Sequence, residues 1–162
     1  WTLFATAGRT PGALCRAKVA ALGLVIAPAV ACQSLALIGW ARLAGVTVPL
    51  DASPWALYTA ELIAVDLAMC AFHVWLAAVR ENQLIGVGVG LLGSFTAVYM
   101  LLAPSWVARL VPWGYYATIC CVQQRETDVQ YTAPPLGWVA AFLALAAVLF
   151  TVATRRLDRI ER

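Results

Sequence analysis

Four windows of about 20 mostly apolar residues, each long enough to cross a hydrocarbon core of about 30 Å, constrain this chain more than anything else in it. They run from about Val19 to Ala44, Pro54 to Val79, Leu84 to Ala103 and Leu136 to Thr154. Of 162 residues, 63% are hydrophobic and 12% charged, where a soluble domain has about half and about a quarter. Mean hydropathy is +0.83. So few charges cannot solvate a globular surface. A disordered chain and a nucleic-acid-binding tail are excluded too, because apolar residues dominate and the basic ones form no dense patch. The expected fold is an all-α polytopic membrane protein, residues 19–154, with the lipid bilayer as its solvent.

Local signals refine the windows. Pro28 should kink the first span near mid-depth, and Gln33 and Arg42 are its strongly polar interruptions. Pro54 suits a first helical turn, with Asp51 or Ser53 as cap. Orientation follows from the loops, since Lys and Arg concentrate on the cytoplasmic side of short connections. With the amino-terminal stretch inside, Arg9, Arg16, Lys18, Arg80, Arg155, Arg156, Arg159 and Arg162 are cytoplasmic, and Arg42, Arg109 and Arg125 lie outside. The opposite topology inverts that bias, so both ends are expected in the cytoplasm. Residues 155–162 form a basic tail.

Between the third and fourth windows, Pro104 to Pro134 is neither apolar enough to cross nor polar enough to ignore the membrane. Its first half, residues 104–121, places Trp106, Trp113, Tyr115 and Tyr116 among aliphatic residues, and such aromatics prefer the headgroup level. Pro104 and Pro112 suggest two short helical pieces and a turn that dips into the outer leaflet; broken backbone at that depth must be covered by protein. The plainer reading is an interfacial loop. The second half, Gln123 to Tyr131, is polar and should be an exposed outer loop.

An ionisable residue inside hydrocarbon is a functional hypothesis by default, and the second span holds Glu61, Asp66 and His73. Asp66 falls roughly 18 Å from the outer end, near the midplane. At 100° per residue Asp66 and His73 share a face, with Glu61 roughly 140° away. Three roles stand for Asp66: locking this helix to the first through Gln33 or Ser34, lining a substrate path, or relaying protons. His73 lacks a second His with which to build a metal site. Gly86, Gly90 and Gly93 form a small-residue stripe suited to close helix packing; without a preceding strand or a nearby Lys they are not a phosphate loop. The five Cys have no metal-ligand spacing and read as small apolar side chains. No enzyme signature or cofactor motif is present, and no metal site is expected.

The amino-terminal stretch, residues 1–18, reads as a turn and helix start leading into the first span. Arg9, Pro11, Arg16 and Lys18 make it a candidate for coupling to a partner's motion, or a topology anchor on anionic lipid.

Several of these elements together resemble a known family. His73-Val-Trp-Leu, Asn82-Gln83, Gly86-x-Gly-x-Gly-Leu-Leu-Gly-Ser-Phe, Pro104-Ser-Trp and Pro112-Trp-Gly-Tyr-Tyr, in that order, look like the membrane subunit of ABC-2-type exporters. They are most similar to the lantibiotic (bacteriocin) immunity permeases. Trp1-x-Leu-Phe with Pro11-Gly-Ala-Leu and Lys18 resembles that family's coupling segment. The resemblance implies that the four windows are the last four of six spans, the first two being absent from the chain, with residues 104–121 as an outer re-entrant gate built on Trp106, Pro112, Trp113, Gly114, Tyr115 and Tyr116. It also implies a bacterial inner-membrane permease that hydrolyses nothing itself. A separate ATP-binding subunit, carrying ATP and Mg, would drive it beside a second or related permease to expel amphipathic peptides. Glu61 and Asp66 match no motif of that family. The alternative from another class is a four-span membrane scaffold or assembly subunit without a transport path.

Overall fold

A computed structural model of the chain describes residues 10–47, 49–80, 82–125 and 128–160. Four long helices dominate: α1 (Pro11–Leu43), α2 (Ala52–Val79), α3 (Gln83–Met100) and α6 (Leu136–Ile160). Each is long and apolar enough to cross a membrane. Between α3 and α6 lie α4 (Ser105–Ala108), a 3-10 turn (Pro112–Gly114), α5 (Tyr115–Thr118), and strands β1 (Val122–Arg125) and β2 (Asp128–Tyr131). The architecture is that of a mainly helical membrane protein.

Capping decides where three of the helices begin. Thr10 accepts from the Ala13 N–H, and Pro11 fills the first helical position, where its missing N–H costs nothing. Asp51 caps α2 through the Ser53 N–H at 3.2 Å, and Asn82 caps α3 through the Leu84 N–H at 2.9 Å. From the start signal at Thr10-Pro11, residues 11–18 form the first turns of α1, continuous with the apolar window that follows. Arg9, with the rest of residues 1–9, lies outside the described residues. At the far end, residues 155–160 of the basic tail continue α6, because no Gly or Pro follows Gly137 to stop it. The first span runs through Pro28 as one helical element.

A correction concerns Gln123 to Tyr131, which is a β-hairpin rather than a plain loop, so the fold is not purely helical. Val122 pairs with Tyr131 and Arg125 with Asp128, antiparallel. The Thr132 N–H donates to the Cys121 carbonyl at 2.9 Å and extends the ladder by one step.

Helices α1, α2 and α6 pack on one another, whereas α3 touches the bundle mainly through the 3-10 turn and α5, and less through α2. The buried cluster of Val65, Tyr115, Ile119 and Val139 therefore joins α2, α5 and α6, with Tyr58, Leu62, Phe142 and Leu143 around it. Tyr115 stacks on Phe142 at 4.0 Å between centroids. Large apolar side chains such as Leu24, Leu43, Leu84 and Leu102 point outward, as lipid-facing positions do.

Candidate functional site

A cleft of about 700 Å³ opens between α1, α2, α3 and the segment after α3. Helical periodicity builds its walls. From α1 come Ile26, Ala29, Val30 and Gln33; from α2, Asp66, Met69, Cys70 and His73; from α3, Gly90, Ser94 and Ala97. Each set repeats at three, four and seven residues, the spacing of one helix face. Trp113 and Tyr116, three apart, close the fourth side. Gln33 and Ser94 are exposed at its rim, so the cleft opens sideways between α1 and α3, level with the middle of the apolar helices.

Asp66 and His73 thus line one wall. Asp66 sits 14 residues into the 28 of α2, about 21 Å along it, and its Oδ1 accepts the Tyr116 hydroxyl at 2.7 Å. That bond crosses from α2 to α5. The helix-to-helix contact expected of Asp66 falls to another pair, in which the Thr59 hydroxyl lies 3.1 Å from the Ser34 hydroxyl and ties α2 to α1. Glu61 points elsewhere. It is buried, outside the cleft, and neither of its carboxylate oxygens has a hydrogen-bond partner among the described residues.

The aromatic and glycine positions divide in the same way. Trp113 meets Phe72 edge to face at 6.0 Å and lies so close over Gly93 that any Cβ there would overlap its indole. Gly90 faces His73, while Gly86 has no neighbour that a Cβ would touch. Among the described residues the stripe seats an aromatic ring at Gly93 and meets His73 at Gly90. Tyr115 belongs to the core, Gly114 is buried with its Cα against the Ala108 carbonyl, and Trp106 and Pro112 are exposed away from the cleft. The Arg109 guanidinium stands over the Trp138 ring at 5.8 Å.

At the opposite end of the bundle, α1 and α6 are clasped. Gly12 lies against the Thr154 carbonyl and the Asp158 carboxylate, leaving no room for a Cβ. Arg16 pairs with Asp158 at 3.2 Å, and Cys15 is buried beside them. Of the coupling candidates, Pro11 starts α1, Arg16 is held in the ion pair and Lys18 is exposed.

Sequence reasoning passed over Met69, Cys70 and Ser94 as cleft residues. The three-four-seven spacing from Asp66 would have found the first two; nothing local singles out Ser94. Among the described residues no three of His, Cys, Asp and Glu converge as metal ligands. Burial pushes the Cys121 thiol above its ordinary pKa, which makes it a poor nucleophile.

Compared with protein families, with curated proteins and with solved structures, the chain matches none.

Proposed function

We propose that the chain is the permease subunit of an ABC-type exporter in a bacterial inner membrane. The observation that carries this reading is the cleft, a sideways-opening, partly polar and partly aromatic cavity at the depth where a substrate leaving the bilayer would enter. A helix bundle made only to hold a complex together has no need of a carboxylate and an imidazole on one wall of such a cleft and an amide on the next. Intramembrane ionisable groups facing a cavity mark substrate and ion paths. The motif resemblance, from His73-Val-Trp-Leu to Pro112-Trp-Gly-Tyr-Tyr, supplies the exporter class, with both ends of the chain on the cytoplasmic side.

In this reading a separate ATP-binding subunit holds ATP and Mg and docks where α1 begins, near Arg16 and Lys18. A second copy or a related permease completes the path. An amphipathic peptide, or a compound like it, enters between α1 and α3. The Asp66–Tyr116 bond joins the path to the segment above it, so occupation of the cleft and movement of that segment are linked.

Efflux from native membranes tests the proposal. Asp66→Asn and Trp113→Ala should each lower ATP-dependent efflux of a labelled amphipathic peptide at least fivefold while the protein still assembles. Cys15 is too buried for crosslinking, so Ala17→Cys, on an exposed position of the same turn, should capture a subunit carrying a Walker A motif. The Asp66–Tyr116 bond by itself favours a second reading, a four-span scaffold in which that bond only locks the fold. Unchanged efflux in both variants, with no such subunit captured, decides for the scaffold.

A further inference from the structure

We propose that the cleft selects a hydrophobic organic cation, an alkyl- or arylammonium group or its phosphonium analogue, whose charge lies against Asp66 and whose apolar body packs on Trp113 and Tyr116. This rests on the reading of the cleft as a substrate path and names the chemistry of what it takes.

Charge makes the first argument. The cleft lining holds one carboxylate, Asp66, and neither Lys nor Arg. A carboxylate at this depth is costly unless a counter-charge or a full set of hydrogen bonds accompanies it. Tyr116 supplies one hydrogen bond, to Oδ1, and among the described residues no cation lies in the lining beside it. His73 is the other group of the wall that can carry charge. It stands seven residues along α2, about 10 Å of helix rise from Asp66, so it leaves the position next to the carboxylate open. Cys70 and Tyr116 complete the titratable groups of the cleft, and neither can act as a counter-cation.

Shape and surface make the second. Trp113 and Tyr116 line the cleft together with Asp66, and a carboxylate in company with aromatic rings is a setting that suits ammonium groups. Ile26, Val30, Met69 and Ala97 make much of the remaining wall apolar, which suits a hydrophobic body. A cleft of about 700 Å³ is within the range of pockets that enclose small organic ligands, about 300–1,000 Å³. An anion of the same size would meet the same wall but would have to sit near Asp66 with neither Lys nor Arg in the lining to offset the repulsion.

Tetraphenylphosphonium and tetraphenylborate, ions of nearly the same shape and opposite charge, separate these cases. The purified chain in phosphatidylcholine nanodiscs is dialysed to equilibrium against each ion, with empty nanodiscs subtracted. The expected result is saturable binding of the phosphonium and none of the borate. Asp66→Asn should weaken phosphonium binding at least tenfold, and Trp113→Leu several-fold. Equal saturable binding of both ions overturns the proposal, as does unchanged affinity in a folded Asp66→Asn protein. Should that variant not fold, the comparison of the two ions on the unaltered chain decides alone. Loss of cation selectivity alongside ATP-driven efflux overturns this inference and leaves the exporter reading standing, whereas cation binding without any ATP-driven efflux does the reverse.

Discussion

The Tyr116 hydroxyl donates to Asp66 Oδ1 at 2.7 Å, so the broken segment after α3 is anchored to the middle of α2 by one side-chain hydrogen bond. Tyr116→Phe removes that donor without changing the ring. The expected cost is about 1–3 kcal/mol, the usual cost of leaving a buried hydrogen-bonding group unsatisfied, read as a lower unfolding midpoint in detergent. Asp66→Asn keeps an acceptor for the hydroxyl and should cost less. Equal losses would assign the effect to the charge of Asp66 rather than to the bond.

Gly93 and Trp113 make the second contact between that segment and the helices. A Cβ at Gly93 overlaps the indole, so Gly93→Ala should destabilise by about 1–3 kcal/mol, as overpacking does. Trp113→Leu should restore part of the loss in the double variant. Gly86→Ala, two turns away with open space around it, should be neutral or gain up to about 1 kcal/mol from helix propensity. A Gly86→Ala loss as large as that of Gly93→Ala would mean that the stripe packs against something outside this chain.

Glu61 makes the opposite prediction to Asp66. It is 6% exposed, and both its oxygens lack partners among the described residues. A buried polar group left unpaired costs about 1–3 kcal/mol, so Glu61→Met should raise thermal stability by a comparable amount and leave efflux intact. A fall in stability, or a loss of efflux, would show that Glu61 has a partner in the working assembly.

The clasp between α1 and α6 divides unevenly between charge and fit. The Arg16–Asp158 pair is half exposed on the Arg side, with 44% of that side chain accessible; such pairs contribute about 0–1 kcal/mol. Asp158→Asn should therefore change the melting point little. Gly12→Leu must displace the Thr154 carbonyl and the Asp158 carboxylate and should cost several times more. Protease sensitivity near residues 12 and 158, compared between the two variants, checks the order.

Hydropathy made the four helices legible because a bilayer rewards length and composition, and little else, in a spanning segment. Pro104 and Pro112 likewise marked where the chain after α3 breaks. The hairpin was hidden: Val122-Gln-Gln-Arg and Asp128-Val-Gln-Tyr alternate too weakly to read as strands, and their pairing is made between two short segments, not within either. Helix geometry put Asp66 and His73 on one face, but the partner of Asp66 was out of reach. Tyr116 is 50 positions away, and its aromatic neighbours Trp106 and Tyr115, alike in composition, end up exposed and buried respectively. Only packing separates them.

Helix α1 has 33 residues, about 50 Å at 1.5 Å each, which exceeds the hydrocarbon thickness by several turns. Pro28 gives no N–H to the Leu24 carbonyl, so the ladder is weakest one residue from the cleft-lining Ala29. Arg16 lies twelve residues below, about 18 Å along the axis. A bend of about 10° at Pro28 would carry Arg16 through about 3 Å at that length, a displacement as large as the ion pair itself. Such a bend would make the long helix a lever with its fulcrum beside the cleft. Because Gly12 packs against Thr154 and Asp158, the same bend would have to carry α6 along or open that contact.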